Sequence, residues 1–392
     1  MTIPMNQNDS LFHLRSRVSV VARLRPWVAL LLLALLCVLA GQAAAEPDAV
    51  AANFDLGSLN GPNGIRIAGR NPNDEAGQAL SNAGDVNGDG LDDALIGAAA
   101  AAPDGKQGAG EAAVIFGAVA NPTALQLADL DGDNGFRLTG ATFNAAAGAA
   151  VSAGDVNGDG LADLLIGAPG SDAGSVAGAG AVYVVFGATS FPARVNLDAL
   201  DGGDGFRIHG VAEEEGIGAA VGFAGDLNGD GFGDIVVGAP NAAVGSKLDA
   251  GRAYVIFGRA AFAPQLSLAD LNGANGVTID GIAAESYAGH AVGAAGDVNG
   301  DGYDDVFIAA HGASRAGAAE VGAVYVLLGR ANFAAGLDLG DVSGTAGFRV
   351  EGQNAGDHAG WAAAGGGDVN GDGRDDLLIL SLIHISEPTR PY

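Results

Sequence analysis

Cysteine is almost missing from this chain. The single one, Cys37, lies in an apolar run near the N-terminus, so no intrachain disulfide braces the 392 residues. Positive charge is scarce as well: 18 Lys and Arg stand against 46 Asp and Glu, a formal net charge of −28. A surface of that sign repels nucleic acid and anionic membrane. No stretch beyond the N-terminal segment shows sustained helical periodicity between caps, which argues against a helical bundle. No phosphate loop, Gly-x-Ser-x-Gly or metalloprotease motif occurs. Of the six histidines, the four between the N-terminal segment and the tail, His209, His290, His311 and His358, are scattered without a nucleophile motif. The sequence therefore supports no catalytic residue, and the expectation is a protein that is not an enzyme.

Residues 1–45 have the form of an export signal. Arg15, Arg17, Arg23 and Arg25 precede a charge-free apolar run at 27–40, and Ala43, Ala44 and Ala45 offer a small-residue cleavage site before Glu46. The run of 14 residues is short against the ~20 that span a bilayer. Cleavage is expected to release a secreted or cell-surface protein with no membrane insertion, Cys37 leaving with the signal. An uncleaved anchor reaching Ala45 is the alternative.

What the chain has in plenty is one phrase, Asp-x-Asn-Gly-Asp-Gly-x-x-Asp. It begins at Asp85, Asp155, Asp226, Asp297 and Asp368, in steps of 70, 71, 71 and 71 residues. A period this regular means one supersecondary unit copied in series. Four short apolar segments recur per unit, at 134–140, 148–151, 164–168 and 181–187 in the second copy. They are β-branched or aromatic runs bounded by Gly, Asp and Pro, which marks strands. The spacing predicts an all-β fold, a β-propeller of four-stranded antiparallel blades, over 46–379 with units 53–123, 124–193, 194–264, 265–335 and 336–379. The competing β-solenoid usually has shorter repeats, ~20–30 residues. The 66 glycines suit turns of positive φ and blades crowding an axis.

Oxygen donors at positions 1, 3, 5 and 9 of the phrase, with Gly at 6, suit a hard cation. The expected side-chain ligands, with a backbone carbonyl at position 7, are Asp85, Asn87, Asp89, Leu91 carbonyl and Asp93 in the first copy. Asp155, Asn157, Asp159, Leu161 carbonyl and Asp163 follow, then Asp226, Asn228, Asp230, Phe232 carbonyl and Asp234. The last two sets are Asp297, Asn299, Asp301, Tyr303 carbonyl and Asp305, and Asp368, Asn370, Asp372, Arg374 carbonyl and Asp376. Three carboxylates and an amide favour Ca²⁺ over Zn²⁺, which prefers His or Cys. One Ca²⁺ per repeat, up to five, is expected. An EF-hand would need an acidic twelfth position; here it is Ile96, Ile166, Val237, Ile308 or Ile379, inside a predicted strand. That reading is excluded.

The stretch 147–169, running through Asp155-Val-Asn-Gly-Asp-Gly-Leu-Ala-Asp163 to Gly167-Ala-Pro169, resembles an FG-GAP repeat. That is the blade of the integrin α-subunit N-terminal propeller and of many exported bacterial proteins. The resemblance covers nearly all of 53–379. Gly-Ala-Pro recurs at 238–240 but becomes Gly97-Ala-Ala99 and Ala309-Ala-His311 elsewhere. The leading Phe-Gly is replaced by Ala76-Gly77, Ala147-Gly148, Ile217-Gly218, Ala288-Gly289 and Ala359-Gly360. Family propellers usually have seven blades, so four full units and part of a fifth read as a truncated ring. Consistent with this, residues 380–392 leave the pattern and resemble a translated sequencing adapter.

Alternation of strand ends places the acidic loops at one face. The loops 98–111, 168–181, 239–251 and 310–322, with 70–76, 141–147, 211–217, 282–288 and 353–359, fall at the other. These are the irregular segments, and integrins by analogy bind ligand away from their calcium loops. The resemblance implies a cell-adhesion or ligand-binding module with an extracellular protein or glycan as partner and no nucleic acid. The alternative is the non-catalytic propeller of a larger exported, phospholipase-like hydrolase.

Overall fold

The computed structural model describes residues 55–120, 122–140 and 142–382; residues 1–45, where an export signal is expected, and positions 383–392 of the tail lie outside them. Leu56–Ser58 form a short 3₁₀ turn capped by Asp55, whose carboxylate accepts from Gly57 N. From Asn60 onward the described residues form strands and turns, with no α-helix.

Each acidic loop joins the first two strands of a sheet. The first sheet holds Ala79–Gly84, Asp93–Ala98, Glu111–Ile115 and Gly135–Thr139, neighbours pairing antiparallel. Ala150–Gly154, Asp163–Ala168, Ala181–Val185 and Gly205–His209 form the second. The third is Ala220–Gly225, Asp234–Ala239, Arg252–Ile256 and Gly276–Asp280. The fourth is Ala291–Gly296, Asp305–Ala310, Ala323–Leu327 and Gly347–Glu351. The fifth copy contributes the pair Ala362–Gly367 and Asp376–Leu380. Each complete sheet thus takes its fourth strand from the following sequence period, because that strand lies beyond the next short connection.

One feature was not expected from the pattern. A three-residue strand on the way to each fourth strand pairs in parallel with the outer strand of the preceding sheet. Arg194–Asn196 pairs with Gly135–Thr139, Gln265–Ser267 with Gly205–His209, and Gly336–Asp338 with Gly276–Asp280. The antiparallel blades of the sequence reading therefore carry a fifth, parallel edge strand in the first three sheets. Three residues are too few to read as a strand from periodicity. A 3₁₀ turn follows each, burying Leu197, Leu268 and Leu339.

The core lies between sheets. Leu95, Val114 and Phe136 of the first meet Leu164, Ile166 and Tyr183 of the second. Leu165, Val184 and Phe206 face Ile235, Val237 and Tyr254 of the third. Val236, Val255 and Val277 meet Val306, Ile308 and Tyr325 of the fourth. Every residue of Asp163–Ala168 is buried, since both faces of that strand are covered. Continuous apolar runs, rather than alternation, are what such a strand requires. First strands of successive sheets pack on one another: a Cβ at Gly222 would come 2.8 Å from Gly293 Cα. These stacked, blade-like sheets make a β-propeller-like fold.

Candidate metal centre

The second loop illustrates how the phrase folds. Asp155 turns back on its own loop, Oδ1 accepting from Gly158 N at 2.7 Å and Oδ2 from Gly160 N at 2.9 Å. Asn157 Oδ1 accepts from Asp159 N at 2.8 Å, and Asp159 Oδ1 from Leu161 N at 2.9 Å. The amide of Asn157 donates to Asp159 Oδ2 at 3.0 Å, so the side chains at positions 3 and 5 touch. Gly160 has φ +87°, and a Cβ there would meet nothing within 4 Å. Conformation, not space, demands glycine at position 6.

The residue at position 9 does something different. Asp163, Asp234 and Asp305 are fully buried and Asp93 nearly so. Asp163 Oδ2 accepts from Val156 N and Oδ1 from Gly187 N, both at 2.9 Å. Gly187 follows the third strand, 24 residues on, so this one carboxylate ties the loop to the middle of its own sheet. Gly117, Gly258 and Gly329 serve Asp93, Asp234 and Asp305 in the same way. That constant offset is legible in the sequence only once its meaning is known.

Burial pushes Asp163 and Asp234 up to about 7 and Asp305 up to about 6, against the pull of the two N–H donors. The charges at positions 5 and 1 of the same loop push the same way. Position 1 goes downward in the fourth copy: burial is the largest single influence and raises Asp297, but the N–H groups of Gly302, Gly300, Asp301 and Asn299 together hold it below the ordinary carboxylate range. Each of the first four loops thus sets a buried carboxyl that resists ionisation beside the acidic side chains at positions 1 and 5. A divalent cation would reverse that strain.

Among the described residues no three acidic or imidazole side chains already converge tightly enough to grip an ion. The donors are instead engaged by backbone N–H groups. Their chemistry, oxygen throughout with two or more carboxylates in mutual electrostatic reach, fits Ca²⁺ and no softer metal.

The loops are also stitched from sheet to sheet. Position 8 donates its N–H to the position-1 carbonyl of the preceding loop: Ala162 to Asp85 at 3.0 Å, Gly233 to Asp155 at 3.2 Å, and Asp304 to Asp226 at 3.3 Å. Where position 8 is acidic it closes a second bond, Asp304 Oδ2 accepting from Asp226 N at 2.7 Å. The position-7 side chain lies over the previous loop, since a Cβ at Gly158 would come 2.7 Å from the Phe232 ring. Sequence reading used only the carbonyl at position 7 and missed this contact.

At the other end of the sheets, Glu215 is not free for recognition. It is buried, accepting from Val211 N and Ala212 N and from the Tyr254 hydroxyl. Arg315 donates to Gln353 O, and Asp172 accepts from Gly178 N at 2.9 Å. Three of the histidines scattered in the sequence are brought together: His290 and His311 have ring centroids 4.2 Å apart, with His358, Tyr287 and Trp361 around them. No helix among the described residues is long and apolar enough to cross a membrane.

Comparison with known proteins agrees with this geometry. The family model for the FG-GAP repeat matches residues 147–185, 218–256 and 288–327, each running from before an acidic loop through the third strand. The chain is 33% identical over 156 residues to a phosphatidylinositol-glycan-specific phospholipase D of Bos taurus, covering 40% of this chain and 17% of that protein. It is 33% identical over 173 residues to integrin alpha-PS5 of Drosophila melanogaster, covering 44% of this chain and 15% of that protein. With integrin alpha-5 of Xenopus laevis the figures are 31% over 169 residues, 42% and 15%. The chain matches less than a fifth of the length of these relatives. The matched repeats and the sheets they form agree: the chain carries three FG-GAP repeats.

Proposed function

We propose that this is an exported, calcium-stabilised and non-catalytic propeller module for adhesion or ligand binding. The observation that carries the reading is the recurrent loop in which a buried carboxylate ties two strands and the third-strand glycine around a cluster of like charges. Asp85, Asn87, Asp89 and Asp93, and their equivalents in each copy, would hold the ion, with the position-7 carbonyl completing the set. The ion would supply compensating charge and loop closure, a task left open by the lack of disulfides. Affinity of about 10⁻⁴ to 10⁻³ M is expected of an extracellular calcium module. An extracellular protein or glycan would then meet the irregular loops at the opposite end. Similarity to integrin α subunits supports this assignment.

Thermal unfolding with millimolar Ca²⁺ and with chelator tests it. At a tenfold excess over Kd one site stabilises by about 1.4 kcal/mol, and several sites act together. The midpoint should rise by several degrees with Ca²⁺; the same midpoint in chelator would reject the reading. A second reading, the propeller part of a phospholipase-like hydrolase, is favoured by the likeness to phospholipase D. The full-length gene separates the two, since a hydrolase domain beside the repeats supports the second.

A further inference from the structure

Four seams between consecutive repeats share one backbone arrangement opposite the acidic loops. Gly110 pairs with Ala147, Gly180 with Ile217, Gly251 with Ala288 and Gly322 with Ala359, each as a parallel bridge. Side chains at three equivalent positions around that bridge differ. The residue after the loop-entry glycine is Gln78, Ala149, Ala219, His290 or Trp361. The residue two before that glycine is Glu75, Ala146, Gly216, Tyr287 or His358, and the one after the second strand is Ala99, Pro169, Pro240 or His311. Small or rigid residues fill the early seams; imidazoles and aryl rings fill the seam between the fourth sheet and the fifth copy.

There the rings form one contact group. His311 stacks on Tyr287 at 5.2 Å, tilts against His290 at 4.2 Å and meets Trp361 edge-on at 5.0 Å. His358 stands 6.1 Å from His311 and donates through Nδ1 to the His311 carbonyl, 3.3 Å away. His311 Nδ1 is buried with no hydrogen-bond partner. His290 and His311 belong to the fourth sheet, His358 and Trp361 to the chain entering the fifth. The group therefore bridges the seam.

We infer that this histidine group is an acid-released clasp, which holds the fifth-copy strands to the fourth sheet at neutral pH and lets that end of the seam open on acidification. A neutral imidazole packs among aryl rings as an apolar plate, whereas an imidazolium there loses hydration and repels its neighbours. Among the described residues the charged groups around it give His290 and His311 no ion pair, only His358. Glu320 lies 3.8 Å from His358 and is largely exposed, Arg315 donates to Gln353 O, and Glu285 is exposed. The Asp357 carboxylate is taken by Gln353 N and Asn354 N. Burial pushes His311 down to about 4, with the His290 and His358 rings adding to it, and burial also lowers His290. A folded-state value below the unfolded one, ~6.5, means that the unfolded form takes up more protons between them. The clasp is thus fully effective above that value and weakens as pH falls toward 4. At the acidic-loop end the same seam is held by Asp375, which accepts from Asp297 N at 2.9 Å, so opening would hinge there.

Amide hydrogen exchange on the full chain, corrected for intrinsic rates, tests the clasp. His358 N and Ala359 N donate across the seam to Glu320 O and Val321 O. Protection of segment 356–364 should fall roughly tenfold or more from about pH 7.5 to about pH 5, while 146–154 and 216–225 hold theirs. The His290→Gln, His311→Gln double variant should keep protection equal at both pH values. Should that variant lose protection at 146–154, His290→Ala with His311→Ala, the residues found at 149 and 99, takes its place. Protection at 356–364 that ignores pH, or the same loss in the double variant, overturns the inference.

Discussion

The second and fifth acidic loops are nearly the same nine residues, yet their ninth positions behave differently. Asp163 is fully buried, both oxygens on backbone N–H groups, one of them Gly187 beyond the third strand. Asp376 is half-buried; Oδ2 accepts from Val369 N at 2.9 Å, but Oδ1 takes the Asn370 amide at 3.2 Å. In the second loop Asn157 instead reaches Asp159. One phrase therefore gives two arrangements, and the difference is whether a third strand delivers its glycine. Burial of the carboxylate is a property of the sheet, not of the loop.

Substitution at the two ninth positions is the most forceful way to break that comparison. Asp163→Ala removes a buried acceptor and strands Val156 N and Gly187 N, each at a cost of about 1–3 kcal/mol. Urea unfolding should show a loss of about 2–5 kcal/mol, against under ~1 kcal/mol for Asp376→Ala. Equal losses would mean that the third-strand glycine contributes nothing. Next comes glycine at the end of the first strand. Gly225 has φ +70° and its Cβ would come 2.2 Å from Asp304 Oδ2; Gly367 has φ +62° with nothing within 4 Å. Left-handed backbone alone makes Ala cost about 1–2 kcal/mol at Gly367. At Gly225 the Asp304 bond to Asp226 N is lost as well, adding ~1 kcal/mol. The smallest effect is Asp304→Ala, about 0.5–1.5 kcal/mol, and in that background Gly225→Ala should fall to the Gly367 level.

Much of the architecture was legible beforehand. The 70–71-residue period and short β-branched runs predict repeated sheets, and strands such as Asp163–Ala168 and Ala181–Val185 lie where expected. The three-residue parallel edge strands escaped notice because Arg194–Asn196 has neither length nor alternation to mark it. The offset between sheet and period escaped for a related reason: hydrogen bonding of Gly135–Thr139 to Glu111–Ile115 leaves no mark on local composition. At the loops, residue types marked candidate donors, while the division in the first four copies between half-buried position 1, exposed position 5 and buried position 9 needed coordinates. The histidines are the clearest miss. His290, His311 and His358 are separated by 21 and 47 residues, and only the packing of one sheet against the next brings their rings together.

The short edge strands have a mechanical consequence. Each connection from third to fourth strand detours to the neighbour's rim before returning, so Arg194–Asn196 is covalently part of the second sheet and hydrogen-bonded to the first. The second, third and fourth sheets each have such a tab, which must unzip from the sheet before it if the sheet is to unravel. The smallest unit that melts cooperatively should then span two repeats, and tension applied to the chain would be passed along the series rather than absorbed by a single member.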